Sequence, residues 1–465
     1  MSTHSEPTIA QRLAEFVTDL RYDDLPPDVV KATKALIVDQ LACELIGSTM
    51  PWLAPARQLV EETRGVREES TIVGSGGTRR LAADAAFCNA SYGQACELDD
   101  SPYGSAGHIG TATVPVAMAM GERDRIDGTQ FLVSIVAGYE VMYRLMRSVA
   151  PHHDTRGFHS QSIAGPFASA AIAGKIIGLN AGEMTHALAI AGSHSCGPLE
   201  YDQSGGEVKR IHAGLGARGG IDSAFLAKFG LTGPSTIIEG KRGFCRIFAT
   251  ECDPSAITPG LGETFNVTNS GFKMYPTIGG VQTSIAAAES IVRKQEISPA
   301  DIARVRVGLA EKVLLHGAGI RVPDDVIGAQ FSLAFSLALT FSGMGNHLEH
   351  YMNAGLWRDP HLVDLMMKVE TYAHPDATGI NERLANVEVE LKDGRKFEAT
   401  ELHQKGSPKN PATPEEFEAK ARRLATTVLT PQNFDAILEM ICGLEKLEDV
   451  SVLARLLGNG RGAMH

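Results

Sequence analysis

The stretch "CELDDSPYGSAGHIGTATVPVAMAMGE" places a histidine shortly after three acidic residues. Glu97, Asp99 and Asp100 precede a glycine-rich loop that carries His108, and an apolar helix is predicted directly after it. An imidazole titrates near neutral pH and can donate or accept a proton, while a neighbouring carboxylate fixes its tautomer. The stretch therefore predicts a proton-transfer site. The alternative is a helix N-terminus with solvated acids and a capping histidine.

A second histidine cluster, "HHDTRGFHSQS", contains His152, His153, Asp154 and His159. Their spacings are compatible with metal ligands, but no HExxH motif or cysteine pair supports such a site. We therefore predict no metal. His159 precedes a helix of small residues, which makes it the better candidate for a second acid or base.

A lysine-containing stretch, "SGGEVKRIHAGLGARGG", places Lys209 and His212 where a helix is predicted to begin. A lysine and helix N-terminal amides could together hold a carboxylate. The stretch also matches GxGxxG, but the polar residues before it do not form the buried strand that a dinucleotide site requires. We expect the glycines to allow close helix packing instead.

Lys273 lies in "SGFKMYPTIGGVQTSIAAAESI", a turn-rich connection at a predicted domain boundary. Clefts between domains are common ligand sites, although an isolated loop lysine is usually only solvated. No GxSxG or GxxxxGK[ST] motif predicts a serine hydrolase or a phosphate-binding loop.

The composition is that of an ordinary globular protein. The 465 residues carry a formal net charge of −12, which disfavours nucleic acid and anionic lipid as partners. The seven cysteines are dispersed and include no CxxC pair, as expected for reduced thiols. Without a secretory start or a long apolar run, the chain is predicted to be cytoplasmic, with no membrane span.

The elements that must position these residues are mainly helical. Residues 8–50 and 80–260 show helical patterns, whereas "RVRVGLAEKVLL" alternates like a strand. "NVEVELKDGRKFEATEL" predicts two strands joined at Asp393-Gly394, and Thr413 with Pro414 predicts a helix start. The region from about 269 to 404 is thus predicted to be a smaller α+β domain inserted between helical parts.

The sequence resembles the MmgE/PrpD family, which includes 2-methylcitrate dehydratase, cis-aconitate decarboxylase and iminodisuccinate epimerase. Six stretches match in family order: "ELDDS", "GHIGTATVPVAMAMGE", "GYEVMYRL", "GFHSQSIAGPFASAAIAGKIIGL", "VKRIHAGLGARGGIDSAFLAKFGLTGP" and "FKMYP". The resemblance implies a mainly α fold, with a large all-helical domain built from both chain ends (1–268 and 405–465) and an inserted α+β lid domain (269–404). It also implies a homodimer without a metal or organic cofactor.

The resemblance extends to site positions. His108, His159, Lys209 and Lys273 match family site residues, whereas Glu97 and Ser101 stand where the decarboxylase-like members have Asp and Thr. Phe335 replaces a tyrosine, Ile109 replaces a proline, and a family histidine is lost to Ile278 or Gln282. Because fewer polar groups then line the lid side, we expect a substrate with fewer charged or hydroxyl groups than a tricarboxylate.

The predicted mechanism is proton transfer next to a carboxylate. Lys209 and Lys273 would clamp the substrate carboxylates from the two domains and stabilise an enolate-like intermediate, while His108 moves the proton. One of the three acids would orient the imidazole or protonate a leaving hydroxyl. The predicted catalytic residues are His108, Glu97, Asp99, Asp100 and His159, and the predicted substrate-binding residues are Lys209, Lys273, Ser101, His212 and Phe335.

The predicted reaction is that of a hydro-lyase acting on a small hydroxy-carboxylic acid, because dehydration is the activity most associated with the family. An epimerase or isomerase of a small dicarboxylate is the first alternative, and a decarboxylase is the second. A non-catalytic protein with an anion-binding pocket is the alternative from another class.

Overall fold

The computed structural model describes residues 6–314, 319–378 and 383–459, which are mainly helical. This confirms the predicted mainly α class. The chain divides into two compact units: the first takes Met1–Ala95, Asp99–Ser270 and Glu418–His465, and the second takes Cys96–Leu98 and Gly271–Phe417. The domain boundaries drawn from the sequence, and the role of a lid, stay predictions.

The first unit contains most of the long helices. The helix predicted from "LPPDVVKATKALIVDQLACELIG" is confirmed at Pro27–Gly47, with two prolines at its start. The helices of this unit are α1 Ile9–Asp19, α2 Pro27–Gly47, α3 Ala54–Thr63, α4 Ala82–Gly93, α5 Ile109–Asp124, α6 Gly128–Val149, α7 His152–Thr155, α8 Ser160–Ile176, α9 Ala181–Ala191, α10 Tyr201–Ser204, α11 His212–Lys228, α12 Phe244–Phe248, α21 Pro431–Cys442 and α22 Ser451–Gly458.

Short strands also occur in the first unit, which the sequence did not predict. β1 (Ser70–Thr71) pairs antiparallel with β2 (Arg79–Arg80), and β3 covers Asp100–Pro102. The next strand along the chain, β4 (Ser270–Phe272), begins at the last residue of the first unit.

Helix α11 lies at the centre of the first unit and packs against α4, α8 and α9. Its glycines allow this proximity. A Cβ atom at Gly214 would overlap the carbonyl oxygen of Phe87 on α4, and one at Gly220 would overlap Ser169 on α8. The GxGxxG match therefore lies within a packing helix, preceded by a 3-10 helix at Val208–Ile211 rather than by a strand.

Arg144 of α6 fixes the chain that leads towards the end of the first unit. Its buried guanidinium pairs with Glu140 at 3.0 Å, and Glu140 also accepts a hydrogen bond from the Asn266 side chain at 2.7 Å. The guanidinium donates to the carbonyl oxygens of Ile257, Pro259, Gly260 and Thr264. These bonds satisfy carbonyl groups that a loop would otherwise leave without partners.

The second unit combines a four-stranded sheet with helices. The strand order is β6 (Val369–Ala373), β5 (Ile302–Leu309), β7 (Ala385–Leu391) and β8 (Lys396–Glu401). β5 runs parallel to β6 and antiparallel to β7, and β7 pairs antiparallel with β8 across the predicted turn. Both the predicted strand and the predicted hairpin are confirmed.

Helix α13 packs against β7 and β8, and the helices of this unit share an apolar core with the sheet. The helices that lie wholly in the second unit are α13 Gly279–Lys294, α14 Glu311–Val313, α15 Val326–Phe331, α16 Leu333–Phe341, α17 Leu348–Tyr351, α18 Ala354–Trp357 and α19 Pro360–Met367. Helix α20 (Pro414–Ala425) contains the boundary after Phe417. Thr413 caps it as predicted, since the Thr413 Oγ1 accepts from the Glu416 amide at 3.2 Å.

None of the described helices combines the length and the apolar character that a membrane crossing requires.

Glu44 on α2 gives the first unit a pH-dependent stability. Its side chain is buried and accepts a hydrogen bond from Gln40 Nε2 at 3.1 Å. Burial raises the pKa of Glu44 from 4.5 to about 8. The folded protein therefore favours the neutral carboxyl. The stability that this group contributes is complete below its unfolded pKa and declines as the pH rises through about 8.

We expect Glu44→Gln to remove this decline, because the amide cannot ionise. Relative to wild type, the variant should gain roughly 3–5 kcal/mol in unfolding free energy between pH 5 and pH 9. Urea denaturation followed by circular dichroism at several pH values measures the gain. The control is Glu15→Gln, which alters an exposed glutamate on α1. Parallel pH curves for wild type and Glu44→Gln would contradict a buried neutral carboxyl.

Candidate active site

The backbone carbonyl of Asp100 defines the tautomer of His108. His108 lies immediately before α5, and its Nδ1 is 2.7 Å from the Asp100 oxygen. Because a carbonyl oxygen can only accept, Nδ1 must carry the hydrogen. In the neutral ring, the lone pair then lies on Nε2. The side chain is 18% exposed.

The two aspartates have different roles at this ring. Asp99 Oδ2 lies 3.3 Å from His108 Nδ1, and the Asp99 side chain is almost fully buried, so a carboxylate at this position would favour a protonated His108 ring. The Asp100 side chain instead accepts from the Gly110 amide at 2.8 Å and holds the first turn of α5. The sequence predicted that Glu97, Asp99 or Asp100 would orient the imidazole or protonate a leaving hydroxyl, and the structure places the Asp99 carboxylate beside the ring.

Gln161 fixes the backbone of His108 and was missed by the sequence analysis. Its Oε1 accepts from the His108 amide at 2.7 Å, and its Nε2 donates to the His108 carbonyl at 2.7 Å. Gln161 is fully buried in the first turn of α8. Its position two residues after His159 was visible in the sequence, but nothing there indicated that an amide would bridge to another helix.

His159 precedes α8 and pairs with His212, the first residue of α11. Their Nδ1 atoms are 2.9 Å apart, and both side chains are buried. The ring of Tyr201 packs edge-on against each imidazole, with both centroid distances 5.8 Å. Burial, with a smaller contribution from the positive charge of Lys209, lowers the pKa of His212 to about 4.

Lys209 and Arg210 lie side by side in the 3-10 helix Val208–Ile211, and both are buried. Arg210 donates to the Ala95 carbonyl and stacks over the Trp52 ring at 4.4 Å. These contacts anchor the helix that carries Lys209. The first unit thus brings Lys209 close enough to His212 to contribute to the lowered pKa of that imidazole.

In the second unit, Lys273 pairs with Glu97. The ammonium nitrogen lies 2.9 Å from Glu97 Oε2, and the two side chains are 1% and 5% exposed. Glu97 has φ = +55°, a left-handed conformation that costs a residue with a side chain about 1 kcal/mol or more. The fold maintains this backbone strain and places a carboxylate against a buried lysine.

Phe335, Gln282 and Ile278, the positions at which a family tyrosine and histidine are predicted to be lost, are buried in the second unit. Phe335 is fully buried and packs edge-on against Tyr351, with a centroid distance of 5.5 Å. Gln282 donates to the carbonyl oxygens of Tyr275 and Thr277, and so fixes the turn before α13. Ile278 belongs to the apolar core. Ser101, another predicted substrate contact, is buried in β3 of the first unit.

The histidine cluster near α7 does not form a metal site in the part of the chain that the structure describes. His152 Nδ1 lies 2.9 Å from Thr250 Oγ1, and His153 Nε2 lies 3.1 Å from Asp154. Among the described residues, no three His, Cys, Asp or Glu side chains are grouped so that they could hold a metal ion.

The family is decided by two adjacent domain matches. The family model of the MmgE/PrpD N-terminal domain matches residues 11–256, and that of the MmgE/PrpD C-terminal domain matches residues 275–446. The chain belongs to the MmgE/PrpD family. The family assignment made from six short stretches is thereby confirmed.

Similar MmgE/PrpD proteins include three named for cis-aconitate decarboxylation. The cis-aconitate decarboxylase-like protein oryM of Aspergillus oryzae is 28% identical, over 97% of this chain and 98% of its own. The cis-aconitate decarboxylase of Aspergillus terreus is 27% identical, over 97% and 96%. The human cis-aconitate decarboxylase is 26% identical, over 97% and 94%. These likenesses over nearly the whole chain support an enzyme with a lyase-type activity.

Proposed function

We propose that this MmgE/PrpD protein is a lyase that breaks a bond next to a carboxylate of a small carboxylic acid, with His108 as the proton-transfer group. The observation that carries the proposal is the fixed His108 ring, whose Nδ1 donates to the Asp100 carbonyl beside the Asp99 carboxylate. This arrangement provides one defined proton-exchange position, Nε2, and a buried negative charge that stabilises its protonated form.

In the proposed mechanism, Lys209 and Lys273 bind substrate carboxylates. Breaking a bond next to a carboxylate leaves an electron pair on carbon, and the two ammonium groups stabilise the resulting enolate-like anion. In decarboxylation, the carbon–carbon bond breaks, carbon dioxide leaves, and His108 Nε2–H returns a proton to carbon. In dehydration, His108 Nε2 removes a proton, a second acid protonates the hydroxyl, and water leaves.

Decarboxylation is our first candidate reaction, because the relatives named above are cis-aconitate decarboxylases. Dehydration of a hydroxy-carboxylic acid, the prediction from the sequence, is the second candidate. It is favoured by the presence of two imidazoles fixed through their Nδ1 atoms, His108 and His159, because dehydration requires both a base and an acid. Epimerisation, which needs the same two groups, remains the alternative within the isomerase class.

The Glu97–Lys273 pair bears on the charge of the substrate. Glu97 already offsets the positive charge of Lys273 inside the second unit. A substrate carboxylate that binds Lys273 must share the ammonium with Glu97 or displace Glu97. Each further negative charge on the substrate therefore adds less to the binding free energy. We therefore propose a substrate with fewer carboxylates than a tricarboxylate. cis-Aconitate, which is a tricarboxylate, serves as the reference compound in the assay below.

Proton and carbon NMR in deuterium oxide can test the proposed function. The purified protein is incubated with carboxyl-labelled cis-aconitate, with hydroxy-dicarboxylates and hydroxy-tricarboxylates, and with chiral dicarboxylates. Labelled bicarbonate with a deuterated product identifies a decarboxylase, and a new alkene signal without bicarbonate identifies a hydro-lyase. Solvent exchange at a stereocentre without either product would overturn lyase activity in favour of epimerisation. No change across the panel would favour the non-catalytic binding protein.

The homodimer implied by the family resemblance is also a proposal for this chain. Light scattering during size-exclusion chromatography should give twice the chain mass of 49.6 kDa. A mass of one chain at micromolar concentration would contradict it. The proposals of a cofactor-free enzyme and a cytoplasmic location are independent of that measurement.

A further inference from the structure

We propose that His212 is a positioning residue that fixes the tautomer of His159 and confines proton exchange by His159 to its Nε2 atom. His212 was predicted to bind substrate, whereas the geometry points to an action through its neighbour. The kinetic part of this inference rests on the proposed function, but the protonation pattern of the pair can be measured without any substrate.

The contact between the two rings restricts where their protons lie. The 2.9 Å separation joins Nδ1 of His159 to Nδ1 of His212, so one of these atoms must donate and the other must accept. If both carried hydrogen, two N–H groups would face each other. The hydrogen-bonded pair can therefore hold at most one positive charge.

The surroundings of His212 decide which ring carries that charge. His212 is 2% exposed, close to the Lys209 ammonium, and in edge contact with the Tyr201 ring. Burial and the lysine both disfavour a second proton on His212, whose pKa is lowered to about 4. An added proton is therefore assigned to His159, while His212 keeps its Nδ1 lone pair as the acceptor.

This assignment leaves one titrating position on His159. In the neutral pair, His159 donates through Nδ1–H and has its lone pair on Nε2, whereas His212 carries its hydrogen on Nε2. When a proton arrives, it binds His159 Nε2 and the Nδ1–Nδ1 hydrogen bond is kept. His212 thus has the function for His159 that the Asp100 carbonyl has for His108, since each acceptor holds an Nδ1–H and leaves Nε2 to exchange protons.

Nitrogen-15 NMR of the full-length protein with labelled histidine can test the protonation pattern directly. At neutral pH, we expect Nδ1–H on His159 and Nε2–H on His212, with a scalar coupling across their hydrogen bond. Assignments come from the cross-peaks lost in single variants, and His194→Asn serves as the control because His194 is an exposed histidine of the same unit. The opposite pattern, with His212 donating, would overturn the proposal.

Two variants test the functional consequence. In His212→Asn, the amide oxygen can replace the Nδ1 acceptor, whereas His212→Phe offers no acceptor. We expect His212→Phe to lower kcat by about 10- to 100-fold with KM little changed, and His212→Asn to recover most of the loss. His212→Phe should also shift the acid limb of the pH–rate profile. A raised KM with unchanged kcat in both variants would instead support the substrate-binding role predicted from the sequence.

The two readouts separate this inference from the proposed function. If no carboxylic acid is turned over, the proposed function fails, while the NMR pattern of the wild-type pair still supports or overturns the role of His212. If His212→Phe does not fold, the wild-type spectrum and the His212→Asn kinetics decide. Equal kcat values and pH profiles for wild type and a folded His212→Phe would overturn the role.

Discussion

Replacing His108 with asparagine is expected to lower kcat/KM by about 10²- to 10⁴-fold while the protein stays folded. The asparagine amide can still donate to the Asp100 carbonyl, as His108 Nδ1 does at 2.7 Å. It has no counterpart of Nε2. The variant therefore removes the proposed proton-exchange atom and keeps the local hydrogen bond, which a truncation to alanine would not do. Steady-state kinetics on the substrate identified by NMR measures the loss.

The matched control for this variant is His186→Asn. His186 is a half-buried histidine of the first unit whose Nδ1 lies 3.2 Å from the Gly233 carbonyl. We expect wild-type kinetics for the control and native circular dichroism for both variants. A folded His108→Asn enzyme with undiminished kcat/KM would mean that another group transfers the proton.

Lys273→Met is expected to destabilise the protein by about 3–5 kcal/mol, as well as to abolish binding of the substrate carboxylate. The loss of stability comes from Glu97, which stays buried after the lysine is removed. Glu97 is only 5% exposed and lies 2.9 Å from the ammonium nitrogen, so removal of the lysine leaves a buried carboxylate without its counter-charge. Urea denaturation monitored by fluorescence and circular dichroism measures the effect. The substrate-binding role predicted for Lys273 does not by itself imply this loss of stability.

The Lys273→Met/Glu97→Gln double variant separates stability from binding. A neutral amide removes the buried charge, so the double variant should recover most of the lost stability but none of the activity. Glu97→Gln alone leaves a buried ammonium and should also be destabilising. Additive losses, with no recovery in the double variant, would show that the pair contributes little to folding.

Much of the fold could be predicted because periodic patterns and terminal signals are local. The prolines at the start of α2, the Thr413 cap of α20 and the Asp393-Gly394 turn each determine structure within a few residues. The two-residue strands β1 and β2 could not be predicted in this way, since two residues carry no alternation. The close packing of α11 was predicted from its glycines, but its partners, α4, α8 and α9, were not.

The candidate site residues were selected by type, whereas their pairings depend on tertiary structure. The sequence offered Glu97, Asp99 and Asp100 as equivalent partners for His108. The structure distinguishes them: the Asp99 carboxylate approaches the ring, the Asp100 carbonyl accepts from it, and Glu97 pairs with Lys273. Gln161 and the contact between His159 and His212 join residues 53 positions apart in the chain, a separation at which local patterns carry no information.

The start of α8 has a mechanical consequence for the two imidazoles. This helix begins directly after His159, and its Gln161 side chain binds the main chain of His108 through two hydrogen bonds. Any translation or rotation of α8 must therefore move both imidazole rings together. Enlarging a buried residue further along the helix, such as Ala168, would disturb both proposed proton-exchange atoms at once, even though Ala168 lies more than one helical turn beyond His159 along α8.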